Sequence, residues 1–202
     1  MILDVDPPVE DPDVLFFVVT KQGDRVPVWR EPSPLSPQQK HQLRTGLPDR
    51  LSHLKPRRGP DSTYNCHGLT FVSRLGWLGA FAPAHYLQLP STTSVTKPED
   101  AERDIRKMLT GGGYRRTCRI PNMFLDATPS PPDVSVGDVI LYLQTGIEHS
   151  GIVIRLEDRP PAQMWVLSKF GELGEYVHPY REVPEVYGHT IEIWTDRTVS
   201  NV

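Results

Sequence analysis

The sequence predicts an α+β fold in which a helix carrying a cysteine packs on an antiparallel sheet. Helical spacing of apolar residues is clearest in two segments, 61–76 and 96–113. Five apolar, β-branched runs then follow one another between Tyr114 and Thr195. The turns among them, such as SVGD, LQTG and EDRPPA, are short enough for antiparallel neighbours. Helices first and strands afterwards give an α+β layout.

Residues 1–60 read as an N-terminal extension or subdomain, and residues 61–202 as the main domain. The first twelve residues look extended and acidic. Asp13 to Thr20 and Arg25 to Arg30 are apolar, β-branched arms around KQGD, which predicts a hairpin. EPSPLSP is too proline-rich for regular structure, and Gln38 to Leu54 predicts a short helix broken near Gly46 and Pro48. Lys55, Arg57 and Arg58, flanked by prolines, read as a solvated loop.

In DSTYNCHGLTFVSRLGWLG, Asp61 and Ser62 form a turn, and Cys66, Leu69, Phe71, Val72 and Leu75 make one apolar stripe ending at Gly76. The second helix, TKPEDAERDIRKMLTGGGY, has Thr96 as N-cap and Pro98, Glu99 and Asp100 in its first turn. Ile105, Met108 and Leu109 form its apolar side, and Gly111 to Gly113 stop it. The strands are Tyr114 to Ile120, Asp138 to Leu143, Gly151 to Leu156, Gln163 to Ser168 and His189 to Thr195. Trp77, Trp165 and Trp194 read as core or half-buried aromatics.

At 202 residues the chain can bury a sizeable core without staples. A net charge of −3 from 22 basic and 25 acidic residues supplies no general attraction to nucleic acid or to an anionic membrane, so neither is an expected partner. No apolar run approaches the roughly 20 residues of a membrane span. The start, MILDVDPPVEDPD, lacks the pattern of a signal peptide, so the expected location is cytoplasmic, or outside by a signal-independent route. Neither C-x-x-C nor H-E-x-x-H occurs, so no metal or cofactor is expected. Cys66 and Cys118 read as two free thiols, with Cys118 a bystander on one face of a short strand.

Cys66 is the candidate nucleophile. It follows a turn, at the first turn of a predicted helix, where unpaired N–H groups and the helix dipole favour thiolate and a pKa below the ordinary value of about 8.5. Gly68 permits close backbone approach, and Tyr64, Asn65 and His67 crowd polar groups around the thiol. His149 is the candidate base: it stands at the start of an apolar strand, and imidazole accepts a thiol proton near neutral pH. Ser150 and Gly151 beside it leave room for another group to approach.

Y-N-C-H-G-L-T-F, then V-G-D-V-I-L-Y, then E-H-S-G-I-V resembles the NlpC-like papain-fold hydrolases, bacterial cell-wall endopeptidases and related amidases. The resemblance covers roughly residues 60 to 195. It implies a papain-like fold, Cys66 as nucleophile, His149 as base, and an amide substrate, with peptidoglycan stem peptides the commonest target of such enzymes. Gly137 and Asp138 then shape the turn into the strand beside the histidine strand. The backbone N–H of Cys66 would serve the oxyanion hole, with a donor from Tyr64 or Asn65. Relatives place a polar residue at the end of the next strand to orient the base. Ser168 takes that position by register, and His178 is the other candidate. Asn65 and His67 depart from the acidic residue and the serine usual beside the cysteine, so the substrate need not be peptidoglycan. Acyl transfer or deamidation by the same pair, and a catalytically inactive binding module, are the alternatives. A delivery protein or an inhibitor is a natural partner for an antibacterial effector of this kind.

Overall fold

A computed structural model describes residues 2–4, 14–29, 35–46, 51, 54–62, 64–72, 98–124, 133–157 and 163–197. A seven-stranded antiparallel sheet organises the chain, with few helices against it. The hairpin arms form β2 (Val14–Val19) and β3 (Arg25–Trp29), and β1 (Ile2–Asp4) pairs with β2 to give a three-stranded sheet. Gly23 sits in the hairpin turn with φ +87°, a left-handed conformation glycine adopts at little cost. Helix α1 (Pro37–Thr45) starts at Ser36, whose hydroxyl accepts from the Gln39 N–H while the Gln39 side chain accepts from the Ser36 N–H. It ends at Gly46.

The main sheet contains β4 (Lys55–Arg58), β5 (Arg115–Ile120), β6 (Val139–Leu143), β7 (Ile147–Glu157), β8 (Gln163–Lys169), β9 (Glu175–Pro179) and β10 (Thr190–Thr195). Their order is β4-β9-β8-β7-β6-β10-β5, every pair antiparallel. Two expectations are corrected here. Lys55–Arg58 is not a loop: it is an exposed edge strand on β9, and so a segment read with the N-terminal extension joins the main sheet. Charge and proline conceal a strand from any alternation test, yet they are what an edge requires. The histidine strand begins at Ile147 rather than at Gly151, so His149 lies inside it, opposite Tyr142 on β6.

Alternation divides the core between the two sheet faces. Val139, Leu141 and Leu143 of β6 join a cluster with Ile105, Met108 and Leu109 of helix α2 (Pro98–Gly111), Phe71, Val26 and Trp194. Ile140 and Tyr142 point the other way, into a cluster with Ile191, Ile193, Val153, Val166, Phe170, Tyr180 and Val183. Trp165 is half-buried with Arg155 4.4 Å above its ring, and Trp77 lies outside the described residues, as do Thr96 and Leu75 to Gly76.

Glu192 on β10 is wholly buried and binds Arg106 of α2 (2.5 Å), Arg116 (2.9 Å) and Arg119 (3.2 Å) of β5, and the Trp194 indole N–H (3.0 Å). Burial pushes its carboxyl up, but the donors, Arg106 foremost, outweigh burial and hold it below its ordinary range. A depressed folded pKa contributes stability above the unfolded value, about 4.3, and loses it as pH falls through the folded one. Glu192→Gln should therefore lower stability at pH 7 by on the order of 1–2 kcal/mol, since the arginines remain partly solvated. In thermal melts the gap from wild type should close below about pH 4. A gap constant from pH 7 to pH 3 would mean that the carboxylate's charge contributes nothing.

Candidate functional site

Cys66 opens a short helical turn that continues as a π-helix over Gly68–Val72. Asn65 caps this turn, its side-chain carbonyl accepting from the Gly68 N–H at 2.8 Å. The turn packs on β7 through a buried chain of hydrogen bonds. The Thr70 hydroxyl donates to the Cys66 carbonyl (2.9 Å), and the Ser150 hydroxyl donates to Thr70 Oγ1 (2.9 Å). Each hydroxyl has a single proton, and both are now used. The His67 Nδ1 bond to Ser150 Oγ (2.9 Å) must therefore be donated by Nδ1–H, which leaves Nε2 as a buried lone pair without a partner among the described residues. Burial holds the His67 imidazole down at about 3, so it is neutral.

Cys66 is buried, 7% of the residue being exposed. Burial pushes its thiol up to about 11, against the opposing pull of the Ser150 N–H, the Lys169 ammonium and the N–H groups of His67 and Cys66. The expected low thiol pKa is thus reversed: in this closed site desolvation outweighs the amides aimed at the sulfur.

His149 is fully buried and stacks on Tyr187 with ring centroids 4.1 Å apart and planes 16° apart. Phe170 and Tyr142 each lie 5.5 Å away by centroid. Neither of its ring nitrogens has a hydrogen-bond partner among the described residues, so it is not bonded to the Cys66 thiol. Burial first, then the neighbouring His178, His67 and Lys169, holds it well below the ordinary histidine value. Strand geometry explains the separation: successive residues face opposite sides of a sheet. Ser150 meets the Cys66 turn, and His149 enters the aromatic cluster.

Ser168 and His178, the two candidates for orienting the base, are bonded to each other, Oγ to Nε2 at 2.7 Å. His178 Nδ1 lies 2.8 Å from the Pro179 carbonyl, which can only accept, so Nδ1 carries the proton and Nε2 accepts from the Ser168 hydroxyl. Ser168 is left with acceptor lone pairs alone, beside Gly151, its partner across β7 and β8. Burial lowers His178 to about 4. A Cβ on Gly151 would fall 2.5 Å from Val166 Cγ1 and 2.9 Å from the Leu167 carbonyl, so β8 fills the space expected to admit a reacting group.

The Tyr64 hydroxyl donates to the Glu175 carboxylate, which also binds Arg57 at 2.8 Å. The Tyr64 hydroxyl spends its proton on Glu175, whereas Asn65 uses only its side-chain oxygen, an acceptor, in capping Gly68. Three contributors went unread in the sequence. Lys169 ends a strand, where lysine normally reads as surface; Tyr187 sits in the turn-rich VPEVYG; Thr70 looks like one more residue of a helix face. Only the inward alternation of β8 hinted at Lys169.

Gly137 adopts φ +97° in the turn before β6, and the Asp138 carboxylate accepts from the Ser135 N–H at 2.9 Å, the shaping role expected of this pair. Cys66 and Cys118 are both free thiols. Cys118 lies on β5, opposite Ile193 of β10. Cys118→Ser should keep full activity and change stability by less than about 1 kcal/mol. Loss of turnover in that variant would give this thiol a role. Among the described residues no three His, Cys, Asp or Glu side chains are grouped to hold a metal ion, and no helix is long and apolar enough to cross a membrane. No family model, curated protein or solved structure matches the chain.

Proposed function

We propose that this protein is a cysteine-dependent amide hydrolase of NlpC-like, papain-like kind, with Cys66 as nucleophile and His149 as base. One observation carries the reading: a capped helical turn seats the Cys66 sulfur at the Ser150 N–H of β7, one residue from a buried histidine with two unused nitrogens. Ser168, held by His178, adds acceptor capacity beside the same strand. Burial favours the neutral form at both ends of the pair, so proton transfer accompanies attack rather than preceding it. Because His149 and the Cys66 turn lie on opposite faces of β7, alignment requires the imidazole to leave the Tyr187 stack and this end of β7 to turn its face; catalytic hydrogen bonds often tighten only once substrate is bound. The sulfur adds to the amide carbonyl as its proton passes to His149, and the resulting imidazolium protonates the departing amine. Water, deprotonated by His149, releases the acid from the acyl-enzyme.

The substrate class put first is the stem peptide of the bacterial wall. Expression directed to the periplasm should lyse or arrest bacteria, and Cys66→Ala should be harmless. Purified sacculi should yield new peptide fragments. Normal growth together with intact sacculi would remove the wall and move a protein amide ahead. Added amine nucleophiles separate hydrolysis from acyl transfer by the products formed. A second reading, a binding module without turnover, draws on the raised Cys66 thiol and the unpaired His149. Product formation from any amide, lost in Cys66→Ala, rules it out.

A further inference from the structure

Lys169 is 1% exposed, an unusual place for an ammonium group. Its Nζ donates to the carbonyl of Asp61 at 2.6 Å and to that of Gly171, and it lies 4.9 Å from the centroid of the Tyr64 ring. Carbonyl oxygens solvate an ammonium without cancelling its charge. The one carboxylate directly across the strand pair, Glu175, is occupied by Tyr64, Arg57 and Arg58. The chain thus holds a buried cation, bonded to carbonyls and drawn electrostatically by Asp61, Glu172 and Glu175, against the segment that leads into Cys66. Such a charge, away from water, acts strongly on a nearby anion.

We propose that Lys169 is a positioning residue for Cys66, supplying the positive charge that supports the thiolate while its two carbonyl bonds fix the approach of the 61–66 segment. The proposal deepens the hydrolase reading and rests on Cys66 being its nucleophile. In a papain-like pair the imidazolium ordinarily supplies that charge, and here His149 is buried neutral on the far side of its strand. The groups whose charge or ring reaches Lys169 are Asp61, Tyr64, Cys66, Glu172 and Glu175, with His149 acting across the sheet. Burial brings the ammonium down to about 8, the carboxylates and Cys66 acting against the fall. Its charge is therefore present below about pH 8 and withdrawn above it.

The test is alkylation of Cys66 by iodoacetamide against pH, on the full chain carrying Cys118→Ser. Far from its own titration a thiol gains tenfold in rate per pH unit. Loss of the lysine charge in the same range opposes that gain. Between pH 7 and 9 the rate should rise about twentyfold instead of about a hundredfold, for a coupling near one pKa unit. Lys169→Arg keeps its charge throughout and should restore the steep rise. Lys169→Met should also rise steeply but run about tenfold slower than the arginine variant at pH 7. Equal slopes in wild type and Lys169→Arg overturn the proposal, and that comparison stands even where Lys169→Met fails to fold. Alkylation is independent of any amide substrate. Absent turnover with the predicted slopes sinks the hydrolase reading alone, and turnover with unaltered slopes sinks the role of Lys169 alone.

Discussion

His149→Ala should abolish amide hydrolysis as completely as Cys66→Ala does, each by at least about a thousandfold in kcat, with the double variant no worse than either single one. Nucleophile and base act as one unit, so removing the second after the first has nothing left to cost. The neutral resting pair sharpens this expectation. A thiol held up at about 11 has almost no thiolate at pH 7, so without a base attack would rely on that trace. Kinetics of the three variants on one amide substrate decide the matter, with melts alongside, because His149→Ala also leaves a cavity beside Tyr187 and Phe170. A His149→Ala protein that melts normally and retains a tenth of wild-type turnover would take the base role away from this residue. His67, with its unpartnered Nε2, would then be the next to test.

Gly188→Ala should destabilise the protein by at least about 3 kcal/mol, through left-handed strain and collision together. Gly188 has φ +91°, and a Cβ there would fall 2.7 Å from the Gln144 nitrogen and closer still to the Leu143 carbonyl. These are backbone atoms of the β6 end, unable to swing aside as a side chain does. For a chain of this length the melting temperature should fall by about 6–12 °C. The displacement also falls on Tyr187, the immediate neighbour that stacks on His149, so the imidazole should become accessible to histidine-modifying reagents. Gly23→Ala is the control: its φ is +87°, nothing lies within 4 Å of the added atom, and strain alone remains. Equal melting temperatures for the two variants would show that the contact at Leu143 relaxes freely.

The elements legible in the sequence were those whose own residues settle their state. The Val14–Val19 and Arg25–Trp29 arms, the Pro98–Gly111 helix and the apolar strands β6, β8 and β10 carry clear periods and stop signals. Strands β4 and β9 were not legible, because KPRR and EYVHP have no apolar alternation; β4 is a strand through a partner more than a hundred residues away, and β9 through pairing on both sides with β4 and β8. At the candidate site, the sequence by itself singled out the groups proposed to carry chemistry: Cys66 at a helix start, His149 on a β-strand, Ser168 and His178 near it. Their ionisation and pairing were decided by tertiary structure alone. Burial raises the Cys66 thiol and lowers His149; strand alternation sends His149 and Ser150 to opposite faces; the lead-in at Asp61 converts a strand-end lysine into a buried charge. A side chain's type is local, but its solvent, its neighbours and the face it occupies are set by segments far away in the chain, and these fix its protonation state.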